Sequence, residues 1–250
     1  MRTNRRNWNF RKTLYSYFKR IIDFIIAFIS LVLLSPIMIV VAIAIKLDSK
    51  GPVIFKQERT GKYGKVFKVW KFRTMVQNNN VRDFSKADEH TKVGTFLRKT
   101  SLDELPQLFC ILSGKMSFLG PRPWITDYFD NMTEEQRHRT DVTPGLSGLA
   151  QVNGRNAITI FDKINYDLKY IDNYGLLQDI KLVFLTIKVV LCKVGADAGK
   201  GTIHDEIEDL KSQTQDLQNV VHSGNSTSRE INIKIESQPN DIGEVSTKAA

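Results

Sequence analysis

The sequence predicts an α+β protein, in which an N-terminal re-entrant membrane helix precedes a small cytoplasmic domain with a β-hairpin and several partly amphipathic helices. Residues 24–45 form an apolar run of 22 residues without a charge. Two β-rich segments flank a glycine-containing turn at residues 60–64, as in a hairpin. From residue 95 onward, apolar residues recur at helical spacing. A membrane element and a mixed domain therefore share one chain of 250 residues.

The apolar run predicts a helix that enters one leaflet of a membrane and returns. A straight helix of this length would rise about 33 Å, which is enough to cross a bilayer core. Ser35 and Pro36 lie at its centre, where proline removes a helix hydrogen bond and the serine hydroxyl can bond a freed backbone group. Both flanks are rich in lysine and arginine, which favour the cytoplasmic side. A kinked spanning helix and a signal peptide are the alternative interpretations.

Charge and composition divide the chain into four predicted segments. The last 46 residues carry nine acidic and four basic residues, a net charge of −5. Since the whole chain has a net charge of +9, the part before them carries +14. The acidic part has too few apolar residues to form its own core and is expected to be largely disordered, with a fraying helix over residues 205–217. The segments are a basic interfacial N-terminus (1–20), a re-entrant membrane helix (21–50), a mixed α+β domain (51–204) and an acidic, largely disordered tail (205–250).

The basic charge beside an apolar anchor predicts binding to membrane lipids and to anionic substrates. Nucleic acid is the competing explanation, but no helix-turn-helix, zinc-finger spacing or basic-aromatic stripe supports it, so no nucleic-acid partner is expected. The two cysteines, Cys110 and Cys192, lie in apolar surroundings and are expected to be buried, reduced thiols. Without a CxxC motif, and with four scattered histidines, a structural zinc site is not indicated.

Periodicity and turn residues predict the elements of the domain. A hairpin joins residues 53–58 to residues 66–72. A helix interrupted by Pro106 is expected over residues 95–108, and Ser101, an N-cap candidate, forms a capping-box pattern with Glu104.

Farther along the chain, the sequence predicts one loop and two helices. Residues 143–156 are rich in glycine, serine and amide side chains and predict a long irregular loop. Helices are expected over residues 160–174 and 179–194. The second of them is strongly apolar with spaced lysines, so it either lies along a membrane surface or forms a buried core helix.

Two adjacent carboxylates, Asp103 and Glu104, are the candidate catalytic residues. Such a pair at a helix start is usually only a cap. A carboxylate can also hold a divalent cation or attack phosphorus while arginines bind the phosphate oxygens. Arg122 stands between two prolines, which restrict its backbone. The cations that could join the pair are Lys71, Arg73, Arg98, Arg122 and Arg155. This combination suggests phosphate chemistry, and no Walker or Rossmann glycine loop indicates an ATP or NAD site.

The linked motifs resemble the bacterial sugar transferases, the monotopic phosphoglycosyl transferases that begin glycan assembly on a polyprenyl phosphate. The resemblance covers about residues 19–193 and fits the compact form of the family, without the multi-span N-terminal extension of its larger members. The matching stretches are KRIIDF, the apolar run interrupted by SP, GPVIFKQERTGKYGKVFKVWKFRTM, LRKTSLDELPQLFCILSGKMSFLGPRP and PGLSGLAQVNGRN.

The resemblance implies a reaction and roles for the matching residues. A sugar-1-phosphate passes from a UDP-sugar to undecaprenyl phosphate, giving undecaprenyl-diphosphate-sugar and UMP, with Mg²⁺ as cofactor. Asp103 is the implied nucleophile and becomes a phospho-sugar ester, while Glu104, with Asp103, is a candidate magnesium ligand. The implied phosphate-binding residues are Lys71, Arg98 and Arg122, and the implied nucleotide-binding residues are Gln151, Asn153 and Arg155. The implied location is the bacterial cytoplasmic membrane, with the catalytic domain facing the cytoplasm.

Two other functional classes compete with this interpretation. A membrane-anchored adaptor that binds anionic lipid would not need Asp103. A lipid-phosphate phosphatase would use water as the acceptor and would form no sugar-lipid product. The sequence leaves open which sugar is transferred, whether the product is a polysaccharide or a glycoprotein glycan, and whether the chain forms oligomers.

Overall fold

The computed structural model describes residues 9–76, 90–154, 157–192 and 203–222, and their mixed helices and small sheets confirm the α+β class. The helices are α1 (Phe10–Asp48), α2 (Lys92–Thr100), α3 (Gln107–Leu112), α4 (Thr126–Asp130), α5 (Glu134–Arg137), α6 (Leu149–Val152), α7 (Ile160–Asp172), α8 (Leu176–Cys192) and α9 (Ile203–His222). The strands are β1 (Ile54–Thr60), β2 (Val66–Phe72), β3 (Ser117–Leu119) and β4 (Gly145–Ser147). Short 3-10 turns cover Lys62–Gly64, Leu102–Glu104 and His138–Thr140.

Helix α1 is continuous over 39 residues and passes through the predicted break. Pro36 has no N–H group, so the carbonyl of Val32 loses its usual helical partner. The hydroxyl of Ser35 donates to that carbonyl at 2.8 Å, which is the role expected of it. The predicted break at Ser35 and Pro36 does not end the helix, and re-entry of α1 into one leaflet stays a prediction.

Helix α1 also begins earlier than predicted. The side chain of Asn9 accepts a hydrogen bond from the backbone N–H of Lys12 at 3.0 Å and caps the first turn. The boundary expected between residues 1–20 and 21–50 therefore lies inside the helix. Much of the basic N-terminal segment belongs to the same element as the apolar run.

One face of α1 packs on the domain along its length, and the other faces expose large apolar side chains. Near its start, Lys12 Nζ donates to the carbonyl oxygens of Ile171 and Asp172 at 3.0 and 2.9 Å. At its other end, Arg73 Nη2 donates to the carbonyl oxygen of Ser49 at 2.7 Å. Both ends of α1 therefore contact the same folded domain. Among the described residues, α1 is the one helix long and apolar enough to span a membrane.

The predicted hairpin is confirmed as an antiparallel pair, with β1 extending two residues farther than expected. Phe55 lies opposite Lys71, and Arg59 lies opposite Phe67. Helix α3 packs against β2, and α1 packs against α3. Arg20 of α1 donates to the last carbonyl groups of α3, those of Ile111 and Leu112, at 2.6 and 2.7 Å. The membrane helix is thus attached to the short helix that follows the two candidate carboxylates.

The region predicted as a helix over residues 95–108 consists of two helices, and α3 begins directly after the predicted interruption at Pro106. Helix α2 already ends at Thr100, because its C-cap Ser101 has a left-handed backbone with a φ of 57°. A single 3-10 turn then carries Asp103 and Glu104, and α3 begins after Pro106. The capping box is wrong: the Ser101 side chain makes no cap bond, and the Glu104 side chain turns toward Lys71 instead. The leucines keep a helical spacing through the turn between α2 and α3, so their periodicity alone does not reveal the turn.

The loop predicted over residues 143–156 contains regular structure. Strand β4 pairs in parallel with β3, and α6 follows at once. Gly145 permits this, because a Cβ there would lie 2.1 Å from the backbone nitrogen of Gly120. The GPRP and PGLSG motifs therefore lie side by side, with backbone in direct contact.

Helices α7 and α8 confirm the two predicted helices. At the start of α8, Asp179 is buried and accepts hydrogen bonds from Tyr15, Lys19 and Tyr170 at 2.5, 2.5 and 2.7 Å. Leu182 is buried on the same face. The other faces expose apolar side chains at Leu176, Leu177, Ile180, Val183, Phe184, Ile187, Val190 and Leu191. The core-helix alternative is therefore wrong, and placement on a membrane surface stays a prediction.

The thiol of Cys110 is buried as expected, and the side chain of Cys192 lies outside the described part.

The helix predicted at the start of the acidic tail is present as α9, but it packs on the domain, so the prediction that it frays is wrong. Helix α9 packs on a cluster that includes Tyr128 and Ile164, and its Leu210 is completely buried. Glu206 accepts a hydrogen bond from Tyr128 at 2.5 Å and pairs with Lys163 at 2.6 Å. The tail has too few apolar residues to form a core of its own, but α9 adds Leu210 to the core of the domain. The tail beyond residue 222 lies outside the described residues.

Candidate active site

A cleft of about 580 Å³ lies between the hairpin and the two short segments that carry Asp103 and Arg122. Lys71 enters it from β2, and Arg98 enters it from α2. The structure therefore brings the predicted catalytic pair together with all three predicted phosphate-binding residues. These side chains come from four separate parts of the chain.

Glu104 connects two of the cations. Its Oε1 accepts from Lys71 Nζ at 2.8 Å and from Arg122 Nη2 at 2.6 Å. The side chain of Glu104 is 21% exposed and that of Lys71 is 25% exposed, so both ion pairs are partly shielded from solvent. Glu104 therefore fixes the positions of two cations at the cleft floor.

Asp103 is held less tightly than its neighbour. Its Oδ2 lies 3.9 Å from Lys71 Nζ, beyond hydrogen-bond distance, and its side chain is 13% exposed. The left-handed Ser101 two residues earlier turns the chain sharply before it. A carboxylate that is partly buried, close to a cation and not hydrogen-bonded to it has an oxygen available for a ligand or an electrophile.

The two carboxylates differ in proton affinity. Burial raises the pKa of Asp103 above its ordinary value, although Lys71 acts in the opposite direction. Burial would also raise the pKa of Glu104, but Arg122 and Lys71 outweigh it and hold that pKa well below its ordinary range. Glu104 is therefore the permanently charged partner of two cations, and Asp103 is the more basic oxygen of the pair.

A buried ion pair, which sequence reasoning missed, supports the loop that carries Arg122. Arg139 donates to Asp167 Oδ2 through Nε and Nη2, at 3.0 and 2.6 Å. Its Nη2 also donates to the carbonyl oxygen of Arg122 at 2.8 Å, and its guanidinium lies 3.7 Å from the ring centre of Trp124. Both partners are almost completely buried. No local sequence signal indicated this pair, because its two residues are 28 positions apart on different elements.

A second missed residue is Arg59, which lies in the cleft at the far end of β1. The predicted strand ended at Glu58 and the predicted turn began at Thr60, so Arg59 was assigned to neither. If the strand is extended to Arg59, side-chain alternation places Arg59 on the same face as Gln57.

Other candidate cations have different roles or partners. Arg73 is buried and donates to Ser49 at the end of α1, so it mainly caps that helix. Arg98 lines the cleft, and its Nη1 lies 2.8 Å from Nε2 of His90. The phosphate-binding role of Arg98 therefore stays a prediction.

Two of the three predicted nucleotide-binding residues, Gln151 and Asn153, are not brought to the cleft. Gln151 lies in α6, and Asn153 uses its amide to donate to the carbonyl oxygen of Leu149 at 2.7 Å. Neither lines the cleft, and Arg155 lies outside the described residues. Their nucleotide-binding role stays a prediction, which the geometry of the cleft does not support for Gln151 and Asn153.

The carboxylate pair fits a magnesium ion in one respect. Mg²⁺ is usually held by one or two carboxylates plus substrate phosphates, rather than by a complete protein cage. The described residues contain no group of three or more acidic, histidine or cysteine side chains placed to hold a metal. Asp103 has an oxygen available, whereas Glu104 Oε1 is already occupied by two cations. Asp103 is therefore the better candidate ligand of the pair.

Comparison with known proteins points to one family. The sequence profile described as Bacterial sugar transferase matches residues 14–193. The chain is 44% identical over 182 residues to the UDP-glucose:undecaprenyl-phosphate glucose-1-phosphate transferase of Klebsiella pneumoniae, covering 68% of this chain and 39% of that protein. It is 41% identical over 193 residues to the UDP-N-acetylgalactosamine-undecaprenyl-phosphate N-acetylgalactosaminephosphotransferase of Aeromonas hydrophila, covering 73% of this chain and 46% of that one.

A third relative has a length closer to that of this chain. The chain is 41% identical over 179 residues to the sugar transferase EpsL of Bacillus subtilis, covering 71% of this chain and 89% of EpsL. The Klebsiella and Aeromonas proteins are longer, and this chain spans less than half of each. The matched residues include the hairpin, the carboxylate pair and both glycine-containing motifs, and they make this chain a member of the bacterial sugar transferase family.

Proposed function

We propose that this protein transfers a sugar-1-phosphate from a UDP-sugar to undecaprenyl phosphate through a covalent intermediate on Asp103. The observation that carries the proposal is the arrangement of the cleft: a partly buried carboxylate lies 3.9 Å from Lys71, beside a glutamate that holds Lys71 and Arg122. Cations aimed at one carboxylate are suited to phosphoryl transfer, where charge builds up on phosphate oxygens. The relatives named for undecaprenyl-phosphate transfer support the choice of substrates.

In the first half-reaction, an oxygen of Asp103 attacks the β-phosphorus of the donor. A P–O bond to Asp103 forms, the bond between the β-phosphorus and the bridging oxygen breaks, and UMP leaves with the electron pair. Lys71 and Arg122 stabilise the negative charge on the phosphate oxygens. Because burial raises the pKa of Asp103, its ionised carboxylate is a somewhat better nucleophile than an exposed aspartate.

In the second half-reaction, a phosphate oxygen of the lipid attacks the same phosphorus. The new P–O bond releases Asp103 as a carboxylate and gives the undecaprenyl-diphosphate-sugar. No net proton is required in either half. Magnesium, when bound, would neutralise phosphate charge, with Asp103 and, less readily, Glu104 as ligands. The protein's own cations position both phosphates.

We further propose that α1 lies in one leaflet and does not span the membrane. Lys12 at its start and Ser49 at its end both contact the same domain. A spanning helix would have to separate those contacts by the thickness of the bilayer, about 30 Å of hydrocarbon. The exposed apolar faces of α1 then lie in lipid, and the catalytic domain faces the cytoplasm at the depth of the lipid phosphate.

The test is incubation of the purified chain with undecaprenyl phosphate, Mg²⁺ and a panel of UDP-sugars, with UMP release as the measurement. One sugar should give UMP in proportion to lipid consumed. The relatives act on different sugars by name, so the panel should include UDP-glucose, UDP-galactose and UDP-N-acetylgalactosamine. A membrane-anchored adaptor would release no UMP with any donor, and a phosphatase would release inorganic phosphate from the lipid.

A further inference from the structure

We propose that Arg59 binds the non-transferred phosphate of the nucleotide sugar, beside Arg122, at the end of the cleft farthest from the C-terminal end of α1. The inference rests on the transferase function proposed above and adds a substrate-binding residue that lies outside the carboxylate pair. It is carried by the strand register, by the partners of the cations in the cleft, and by the charge of the cleft lining.

The register of the hairpin places Arg59 on the cleft face. Side chains alternate along a strand, so Phe55, Gln57 and Arg59 point to the same side of β1. Phe55 lies directly opposite Lys71, and paired residues in an antiparallel sheet share a face. Arg59 is four residues beyond Phe55, about 13 Å along the strand. Lys71 and Arg59 therefore enter the same cleft at different positions along the hairpin. A diphosphate contacted by both long side chains can bridge the distance between them.

The cations of the cleft differ in their partners. Lys71 and Arg122 both form ion pairs with Glu104. Arg73 donates to Ser49 at the end of α1. Arg59 donates to the neutral amide oxygen of Gln57 at 2.5 Å, and no carboxylate in the described part of the chain forms an ion pair with it. Its charge is therefore available to an anionic ligand.

The lining of the cleft carries a large excess of positive charge. It contains six cationic side chains and two carboxylates. Burial and the nearby charge of Arg122 lower the pKa of Arg59 to about 10, so the side chain is strained electrostatically but still protonated at neutral pH. A phosphate between the two guanidinium groups would remove this repulsion and accept hydrogen bonds from both.

The position of Arg59 favours the donor over the lipid. The hairpin has two ends. Near one of them Arg73 contacts Ser49 at the C-terminal end of α1, and that end is the closer one to the proposed membrane surface. Arg59 is at the opposite end, beside Trp124, whose carbonyl oxygen accepts from the N–H of Thr60 at 2.8 Å. The phosphate that Arg59 holds is therefore assigned to the departing UMP. A lipid phosphate has the same chemistry, and the experiment separates the two sources.

The experiment compares three variants of the full chain: Arg59→Gln, Arg59→Lys, and Lys68→Gln as control. Lys68 is on the same hairpin, is 61% exposed and does not line the cleft, so its substitution removes the same charge elsewhere. Binding of UDP, UMP and uridine is measured by calorimetry, with melting temperatures as a check on folding. Arg59→Gln should weaken UDP and UMP binding by roughly 10- to 100-fold and leave uridine binding unchanged. Arg59→Lys should fall between Arg59→Gln and the unaltered chain.

Two half-reactions then separate donor from lipid. Arg59→Gln should slow UMP release with donor alone and should leave the reaction of preformed adduct with undecaprenyl phosphate near the rate of the control. UDP binding equal to that of Lys68→Gln would overturn the proposal, and so would a defect confined to the lipid step. If no UDP-sugar yields UMP with the unaltered chain, the transferase function fails, while the calorimetric comparison still decides whether Arg59 binds phosphate.

Discussion

Helix α9 gives the sharpest prediction about the fold, because it lies beyond the residues that the family profile matches. Its Leu210 is completely buried against the cluster that contains Tyr128 and Ile164. Leu210→Ala removes buried methyl groups and leaves a cavity, which typically costs about 2–5 kcal/mol. Glu206 would still pair with Lys163, so the variant removes only the apolar contact of the helix.

The expected effect is local opening of α9. At about 1.4 kcal/mol per factor of ten, the loss corresponds to roughly 30-fold or more in the opening equilibrium of the helix. Hydrogen exchange of the amides in Ile203–His222 measures it directly. The matched control is Lys211→Ala, because Lys211 is the next residue and is exposed. Equal protection in the two variants would refute the reasoning that Leu210 anchors α9.

Truncation tests the same contact in a second way. Ending the chain after Thr202 removes α9 and exposes the apolar cluster, so the melting temperature should fall. Ending it after His222 removes only the part beyond the described helix and should leave the melting temperature and UMP release close to those of the full chain. A truncation after Thr202 with an unchanged melting temperature would show that α9 is not part of the domain core.

Three other predictions follow from the site and the membrane helix. Cysteines introduced at Arg11 and at Lys62 should respond alike to an impermeant thiol reagent, and labelling of only one from outside would establish a spanning helix. Arg139→Ala should destabilise the protein by about 3–5 kcal/mol, because it leaves Asp167 buried without its cation; a smaller change in chemical denaturation would mean that water replaces the guanidinium. Glu104→Gln should lower kcat/KM for the donor at least tenfold, with the fold kept, because it removes the charge that positions two cations; kinetics equal to those of the unaltered chain would remove Glu104 from the site.

The hairpin and the composition of the site could be predicted because their signals are local. Alternating β-branched and aromatic residues around a glycine turn specify an antiparallel pair whatever surrounds it. The two neighbouring carboxylates and the arginine between prolines are recognisable in the sequence. That they lie close to Lys71 was implied only by the resemblance, because no local pattern specifies this contact.

The failures have a common cause in tertiary contacts. The helical spacing over residues 95–108 is interrupted at the left-handed Ser101, and in the turn that follows Glu104 pairs with Lys71 and Arg122. The tail was expected to be largely disordered because it has few apolar residues of its own, whereas Leu210 is buried by residues on α4 and α7. The Arg139 and Asp167 pair joins distant elements and leaves no periodic pattern. Each of these features depends on contacts with residues far away in the sequence, which local patterns do not reveal.

The central claim is that Asp103 is the nucleophile, and mass spectrometry of the protein treated with donor alone tests it most directly. The peptide containing Asp103 should gain the mass of a sugar phosphate before any lipid is added, with UMP released in an amount limited by the enzyme. Asp103→Asn keeps the shape of the side chain but removes its charge, and it should abolish both the adduct and turnover while membrane association persists. An unmodified Asp103 peptide in a preparation that turns over rapidly once lipid is present would contradict the account, and would favour direct attack by the lipid phosphate.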